Sequence, residues 1–388
     1  MNETAERYDV IVVGARVAGA ATAMLLARSG LRVLLVDRDR YGTDTLSTHA
    51  LMRGSVYLLS RWGLLDRIVE AGTPPVHRTR FDYGSDSVTV TIKPTLGVQA
   101  LYAPRRTVLD PVLVDAAAAA GAEVRFGVSV AGLLRDGSGR VVGIHGRDRS
   151  GSAVAARAPL TVGADGTRSA VAREAGAATV RVGDGASAII YGYWSDLPAP
   201  GYEWFYRPGH SAGIIPTNAG EVCVFAGTAA NHVTADDRAD LPRTYRRLLT
   251  AATGGDDGRL AHARPPRRLH TWVGRPSYIR QAHGPGWALV GDAGAYLDPL
   301  STHGITDALR DAELLVRALM GTGDVSAALS WFAERRDGVV EPLFRVVDQI
   351  AGYRWDLARV RRHLIELSSA MSAEAELIAT GGGLRVAS

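Results

Sequence analysis

The chain has 388 residues, 46% of them hydrophobic and 22% charged, with a formal net charge of +4. That is ordinary globular composition, and at this length it fits two domains, or one large domain with an insertion, around a sizeable core. It excludes a disulfide scaffold, since Cys223 is the single cysteine, and gives no reason to expect nucleic-acid binding: arginines interleave with acids, Lys93 is the lone lysine, and no basic stripe carries regularly placed aromatics.

The opening MNETAERYDV has no basic segment followed by an apolar one, and no later run reaches about 18 uninterrupted apolar residues. A cytoplasmic protein without a membrane span is expected. The next stretch, YDVIVVGARVAGAATAMLLARSGLRVLLVDRD, predicts a strand at 10–13, a turn at Gly14, an Ala-rich helix to Arg28 and a second strand ending at Asp37. In such a β-α-β unit Gly14 permits the tight turn and Gly19 lets the helix pack on the sheet. Val17 and Ala18 open a helix whose free N–H groups suit a pyrophosphate. Asp37, followed by Arg38, is placed to accept ribose hydroxyls. Arg16 stands where G-x-G-x-x-G has its middle glycine, so its side chain must either turn away from the pyrophosphate or lie beside it.

DTLSTHAL (44–51) follows, and its Asp, Leu, Ser, Thr and His return in register in DPLSTHGI (298–305). Either the match is an accident or two distant loops serve one site. After the first copy, Met52, Val56, Leu59 and Leu65 predict an amphipathic helix. HRTRFDYGSDSVTVTIKP and the segment from ASAIIYGYW to EVCVFAGT alternate as strands between Gly, Pro and Asn turns, which predicts one antiparallel sheet built from two separated insertions. Its Tyr193, Trp204 and Tyr206 are candidates for a substrate pocket, although aromatic strand residues are as readily core. Cys223, within EVCVFAGT, reads as a buried thiol. Between the insertions, PRRTVLDPVL carries Arg106, and LTVGADGTRSAVAREAG places a strand before Asp165 and Gly166. WALVGDAGAYLDPLSTHGITDALRD then leads into a helix from Ile305, and the remainder is helical in pattern up to a Gly-rich tail.

In these motifs the chain resembles the FAD-dependent monooxygenases of the class A, p-hydroxybenzoate-hydroxylase-like type. The resemblance implies an α/β fold: a Rossmann-like FAD-binding domain (1–75, 101–178 and 270–335), an inserted antiparallel β-sheet substrate domain (76–100 and 179–269) and a C-terminal helical segment (336–388). It implies that Asp165 and Gly166 support the pyrophosphate region and the passage of NAD(P)H, and that Gly291 and Asp292 meet the ribityl chain. The segment from Pro299 through His303, Gly304 and Ile305 would pass beneath the isoalloxazine, Arg106 would reach the phosphate and ribityl region, and the backbone of Val130 would meet the adenine. The Asp-Gly motif matches except that Ala172 intervenes before Arg173, and two departures weaken a direct transfer of hydroxylase chemistry: Ala295 stands where many members have a histidine, and His303 replaces a lysine or glutamine.

The activity so implied is an NAD(P)H-dependent monooxygenase that uses O2 to hydroxylate an aromatic or polycyclic small molecule through a flavin C4a-hydroperoxide. GARVAG and DPLSTHGI look as much like geranylgeranyl-reductase-type flavoproteins, which makes alkene reduction the second reading. Halogenation is disfavoured, because W-x-W-x-I-P is missing and only GIIP (213–216) echoes it. A non-redox flavoprotein, a cyclase or a flavin-binding regulator, is the alternative from another class. His49 and His303 are the candidates for moving protons beside the flavin, an ordinary imidazole pKa lying near 6.5, with loop shaping by side-chain to backbone hydrogen bonds as the alternative. No metal is expected, and the sequence leaves the oligomeric state open.

Overall fold

A computed structural model of the chain describes residues 6–255 and 258–380; the Gly-rich tail lies outside the described residues. Strands Val10–Val13, Val33–Asp37, Glu123–Phe126, Leu160–Gly163 and Trp287–Leu289 form a parallel sheet, with a short antiparallel strand, His283–Gly284, at one edge. The inner strands are apolar without alternation because both faces are covered. Val10, Val12, Val33 and Leu35 pack toward helices Val17–Arg28, Arg106–Ala119 and Gly304–Gly321. Ile11, Val13, Leu34 and Val36 pack on the other side, against Val141, Ile144 and Ala156 of a small four-stranded sheet.

A seven-stranded sheet covers one side of this unit. Its order runs His270–Val273, Ser187–Trp194, Val222–Ala229, His210–Pro216, Tyr202–Arg207, Arg78–Asp82, Ser87–Thr91. The two separated insertions do share one sheet. Every pairing is antiparallel except the one that joins the insertions, Arg78–Asp82 beside Tyr202–Arg207, which is parallel. The long chain between those strands supplies the crossover that a parallel pair needs.

The helix expected after the first loop is two helices, Arg53–Arg61 and Leu65–Glu70, because Gly63 takes φ +73° between them. Helices Val325–Ala351 and Leu357–Thr380 close the described chain; the last packs on the one before it, on Arg53–Arg61 and on the seven-stranded sheet. Among the described residues no helix is long and apolar enough to cross a membrane.

Candidate functional site

The first turn is held by close backbone approach. Gly14 takes φ +104°, and a Cβ there would lie 2.4 Å from the Ala164 carbonyl oxygen; a Cβ on Gly19 would lie 1.7 Å from the Gly14 oxygen. The Asp37 carboxylate braces the same turn, accepting the Ala15 N–H at 2.6 Å and the Asp39 N–H at 2.7 Å. Arg16 turns away from the turn and bonds Asp110 at 3.0 Å, Thr43 Oγ1 at 3.0 Å and the Thr43 carbonyl. Asp110 also takes Arg106 Nε at 2.8 Å, so one carboxylate anchors both arginines.

Arg16, Val17, Ala18 and Arg106 form one end of a cleft of about 210 Å³; Gly166 and Asp292 lie along it, and Pro299, His303, Gly304 and Ile305 line it with His49. Most of the residues singled out from the sequence therefore converge. Gly291, at φ +57°, is buried behind the cleft with its Cα close to Ala18. Six others do not line the cleft, among them Gly14, Gly19 and Asp37, which build the first turn. Asp165 caps the helix Ala170–Ala175, accepting the Ala170 N–H at 2.6 Å. Arg38 is exposed beside Asp37, and Val130 lies on the small four-stranded sheet, two residues after Val128, whose N–H bonds the Asp37 carbonyl at 2.9 Å.

The two LSTH loops meet across this cleft. In each, the serine hydroxyl accepts the backbone N–H of the histidine two residues on, Ser47 from His49 at 3.1 Å and Ser301 from His303 at 3.3 Å. Their acids differ: Asp298 is buried and takes the Ser187 N–H at 2.8 Å and hydroxyl at 2.6 Å, whereas Asp44 meets Arg105 at 3.2 Å. The histidines differ more. His49 Nε2 hydrogen-bonds the Tyr193 hydroxyl, and the Arg105 guanidinium lies 3.6 Å from the Tyr193 ring. Desolvation, reinforced by Arg106 and Arg105, holds the His49 pKa well below its usual value. His303 Nε2 bonds Glu374, and although desolvation works to lower its pKa, Glu374 and Asp307 together raise it. One tetrapeptide thus presents two imidazoles whose pKa values are driven in opposite directions.

Behind His303, Arg310 is fully buried and bonds Glu374 at 2.6 Å, Asp311 at 2.7 Å and Asp307. His303, Asp307 and Glu374 have the spacing of a metal-ligand set. The guanidinium already supplies the positive charge among these acids, which makes the cluster an ion-pair network.

The cleft fits FAD on several counts. Helices Val17–Arg28 and Gly304–Gly321 both begin at it with no side-chain cap, so their first-turn N–H groups are free for a pyrophosphate and for the electron-rich edge of a flavin. The Asp292 carboxylate accepts no protein hydrogen bond among the described residues, which leaves it for a ribityl hydroxyl. Nδ1 of His49 and Nδ1 of His303 are buried without partners among the described residues.

Beyond Thr302, which lines both spaces, opens a second cavity of about 460 Å³ between the seven-stranded sheet and the last helix. Its wall includes Phe81, Trp204, Tyr206, Leu300, Leu364 and Met371. Trp204 and Tyr206 face it. Tyr193 instead turns to His49. Sequence reasoning missed the wall given by the last helix and the role of Glu374, because an amphipathic helix carries no signal of which distant loop it will cover.

Residues 7–341 match the family described as "FAD binding domain". The chain belongs to that family. Among curated relatives, this family member is 29% identical to the menaquinone reductase of Mycolicibacterium smegmatis over 84% of its length and 79% of the relative's. It is 29% identical to the digeranylgeranylglycerophospholipid reductase of Methanocella arvoryzae over 87% and 84%. The fold is similar to that of pqsL, a probable FAD-dependent monooxygenase from Pseudomonas aeruginosa, with a TM-score of 0.76 at 20% identity over 95% of this chain and 100% of that one. An FAD-dependent oxidoreductase with a Rossmann-type cofactor unit, a seven-stranded sheet and C-terminal helices is the architecture these findings support.

Proposed function

We propose that the chain reduces a carbon–carbon double bond in a large apolar substrate, an isoprenoid chain or a polycycle, with FAD lying along the cleft between its two uncapped helix ends. The observation that carries this reading is the cavity beyond Thr302: its wall is mainly aliphatic and aromatic, with hydroxyls at Thr79, Ser301, Thr302, Ser368 and Ser369, and the one charged residue on it among the described residues, Arg361, is half-exposed and paired with Asp86 at 2.8 Å. Among the described residues no buried cation waits there for a phenolate or carboxylate, so shape and apolar contact dominate the choice of substrate. The similarity to two reductases whose names denote quinone or isoprenoid lipid substrates supports the same reading.

In this arrangement Arg106 and the first-turn amides at Val17 and Ala18 hold the pyrophosphate, Asp292 orients the ribityl chain, and Gly304 and Ile305 present amides to the ring. FAD, when bound, supplies the two-electron chemistry. The protein must supply a proton for the second carbon. His303, which lines the cleft and whose pKa Glu374 and Asp307 raise, is the group suited to give it, while His49, held below its usual pKa, is fixed on the opposite wall by its bond to the buried Tyr193 hydroxyl.

Monooxygenation of the same substrate is the second reading, favoured by the aromatic end of the cavity at Phe81, Tyr83, Trp204 and Tyr206. Anaerobic turnover decides between the two. FAD-loaded protein supplied with NADH, NADPH or a chemical reductant and a panel of polyprenyl and polycyclic compounds is expected to yield products heavier by two hydrogens without O2. Products that need O2 and gain one oxygen would overturn the reductase reading in favour of the monooxygenase.

A further inference from the structure

A buried chain of charge joins the last helix to the cofactor cleft, and no local motif contains it. Glu374, 1% exposed, places one carboxylate oxygen on His303 Nε2 and the other 2.6 Å from Arg310 Nη1. Arg310 takes Asp311 Oδ1 at 2.7 Å, and the other Asp311 oxygen accepts the Gly291 N–H at 2.9 Å. His303 and Gly291 belong to the two loops that bound the far end of the cleft, so the network ties both loops to one helix.

Charge counting shows what the network asks of His303. Asp307 and Arg310 face it from its own helix and Glu374 from the last helix, with Asp311 on Arg310, while Asp292 lies in the neighbouring turn. Three buried carboxylates meet a single guanidinium, and excess buried negative charge is costly: burial raises the Asp307 pKa, and a second cation at His303 reduces the excess further. His49, across the cleft, is neutral and does not oppose this. With Nε2 committed to Glu374, the one polar atom His303 has left is Nδ1, which is buried and meets no protein group among the described residues.

We propose that Glu374 is a positioning residue for the cofactor: it holds the His303 imidazole as a two-donor cation in the wall of the cleft that would take the flavin, and so sets how strongly the site favours reduced over oxidised FAD. This rests on FAD occupying the cleft, but not on any choice of substrate.

The test is the midpoint potential of the FAD-loaded protein, measured without substrate across pH, for wild type, Glu374→Gln and Glu374→Asp. Glu374→Gln keeps a hydrogen-bonding group but removes the counter-charge, and is expected to lose about tenfold of the preference for reduced FAD, about 30 mV lower for a two-electron couple. Glu374→Asp retains the carboxylate and is expected to recover most of the loss. In wild type, NMR of isotopically labelled histidine is expected to show His303 still protonated well above the ordinary imidazole pKa of about 6.5. Identical potentials and pH slopes in wild type and Glu374→Gln would overturn the proposal, as would a wild-type His303 that titrates near the ordinary value. Should Glu374→Gln fail to fold, the wild-type titration and Glu374→Asp still decide. A protein that takes up no FAD fails the functional reading itself, whereas one that binds FAD with a potential indifferent to Glu374 fails this proposal alone.

Discussion

The carboxylate of Asp292 has no protein hydrogen bond among the described residues, and its removal from water, followed by the charge of Asp307, pushes its pKa up to about 7. A raised acid pKa means that the folded apoprotein holds a proton that the unfolded chain has released between the ordinary value near 4 and about 7. Its contribution to stability is therefore lost as pH rises through that window. Thermal melts of apoprotein across this range are expected to show a steeper decline in wild type than in Asp292→Asn. A ribityl hydroxyl donating to this carboxylate favours the ionised form, so FAD affinity is expected to rise with pH through about 7, and fluorescence titration should show that slope vanish in Asp292→Asn. At Tyr193 the expected change is kinetic. Tyr193→Phe removes the hydroxyl that fixes His49 Nε2 and is expected to lower kcat by about tenfold or more while FAD affinity changes little. What separates His49 from His303 was not legible locally. The serine hydrogen bonds were, since both loops carry the same Ser-x-His spacing, but the partners of the two imidazoles, Tyr193 and Glu374, lie 144 and 71 residues away.

Among the elements, helix Gly304–Gly321 carries the heaviest burden of buried charge. Arg310→Met would leave Asp307, Asp311 and Glu374 facing one another without their guanidinium, and is expected to cost about 3–5 kcal/mol in urea unfolding. That helix was legible from its apolar spacing, and its start beside the DPLSTH loop followed from the same pattern. Its arginine was not, because burial of a charged residue inside an amphipathic repeat depends on what packs over it. The last helix is equally decisive for the cavity. Leu364→Trp projects bulk into the space beside Trp204 and Tyr206 and is expected to raise KM by about tenfold or more, with chemical reduction of bound FAD unaffected. A KM unchanged by that variant would mean that substrate binds elsewhere.

On the scale of the whole molecule, the parallel core could be read from the sequence because its buried strands are apolar throughout and its Gly14 turn has a steric cause. The seven-stranded sheet could be read as strands, but the parallel pairing of Arg78–Asp82 with Tyr202–Arg207 could not, since backbone hydrogen bonds serve either direction. FAD should stabilise the whole by mass action: at a hundredfold excess over Kd, removal of the cofactor is expected to lower unfolding stability by about 2.7 kcal/mol, measurable by comparing holo- and apoprotein in the same buffer.

The helix that supplies both Glu374 and the outer cavity wall is the last one in the described chain. During synthesis the Gly14 turn leaves the ribosome well before Glu374, the acid behind the same cleft. In that interval a nascent chain carries a half-built cofactor seat, with the apolar wall of its roof uncovered. Loading with FAD, and protection from association with other unfinished chains, must both wait for helix Leu357–Thr380 to dock.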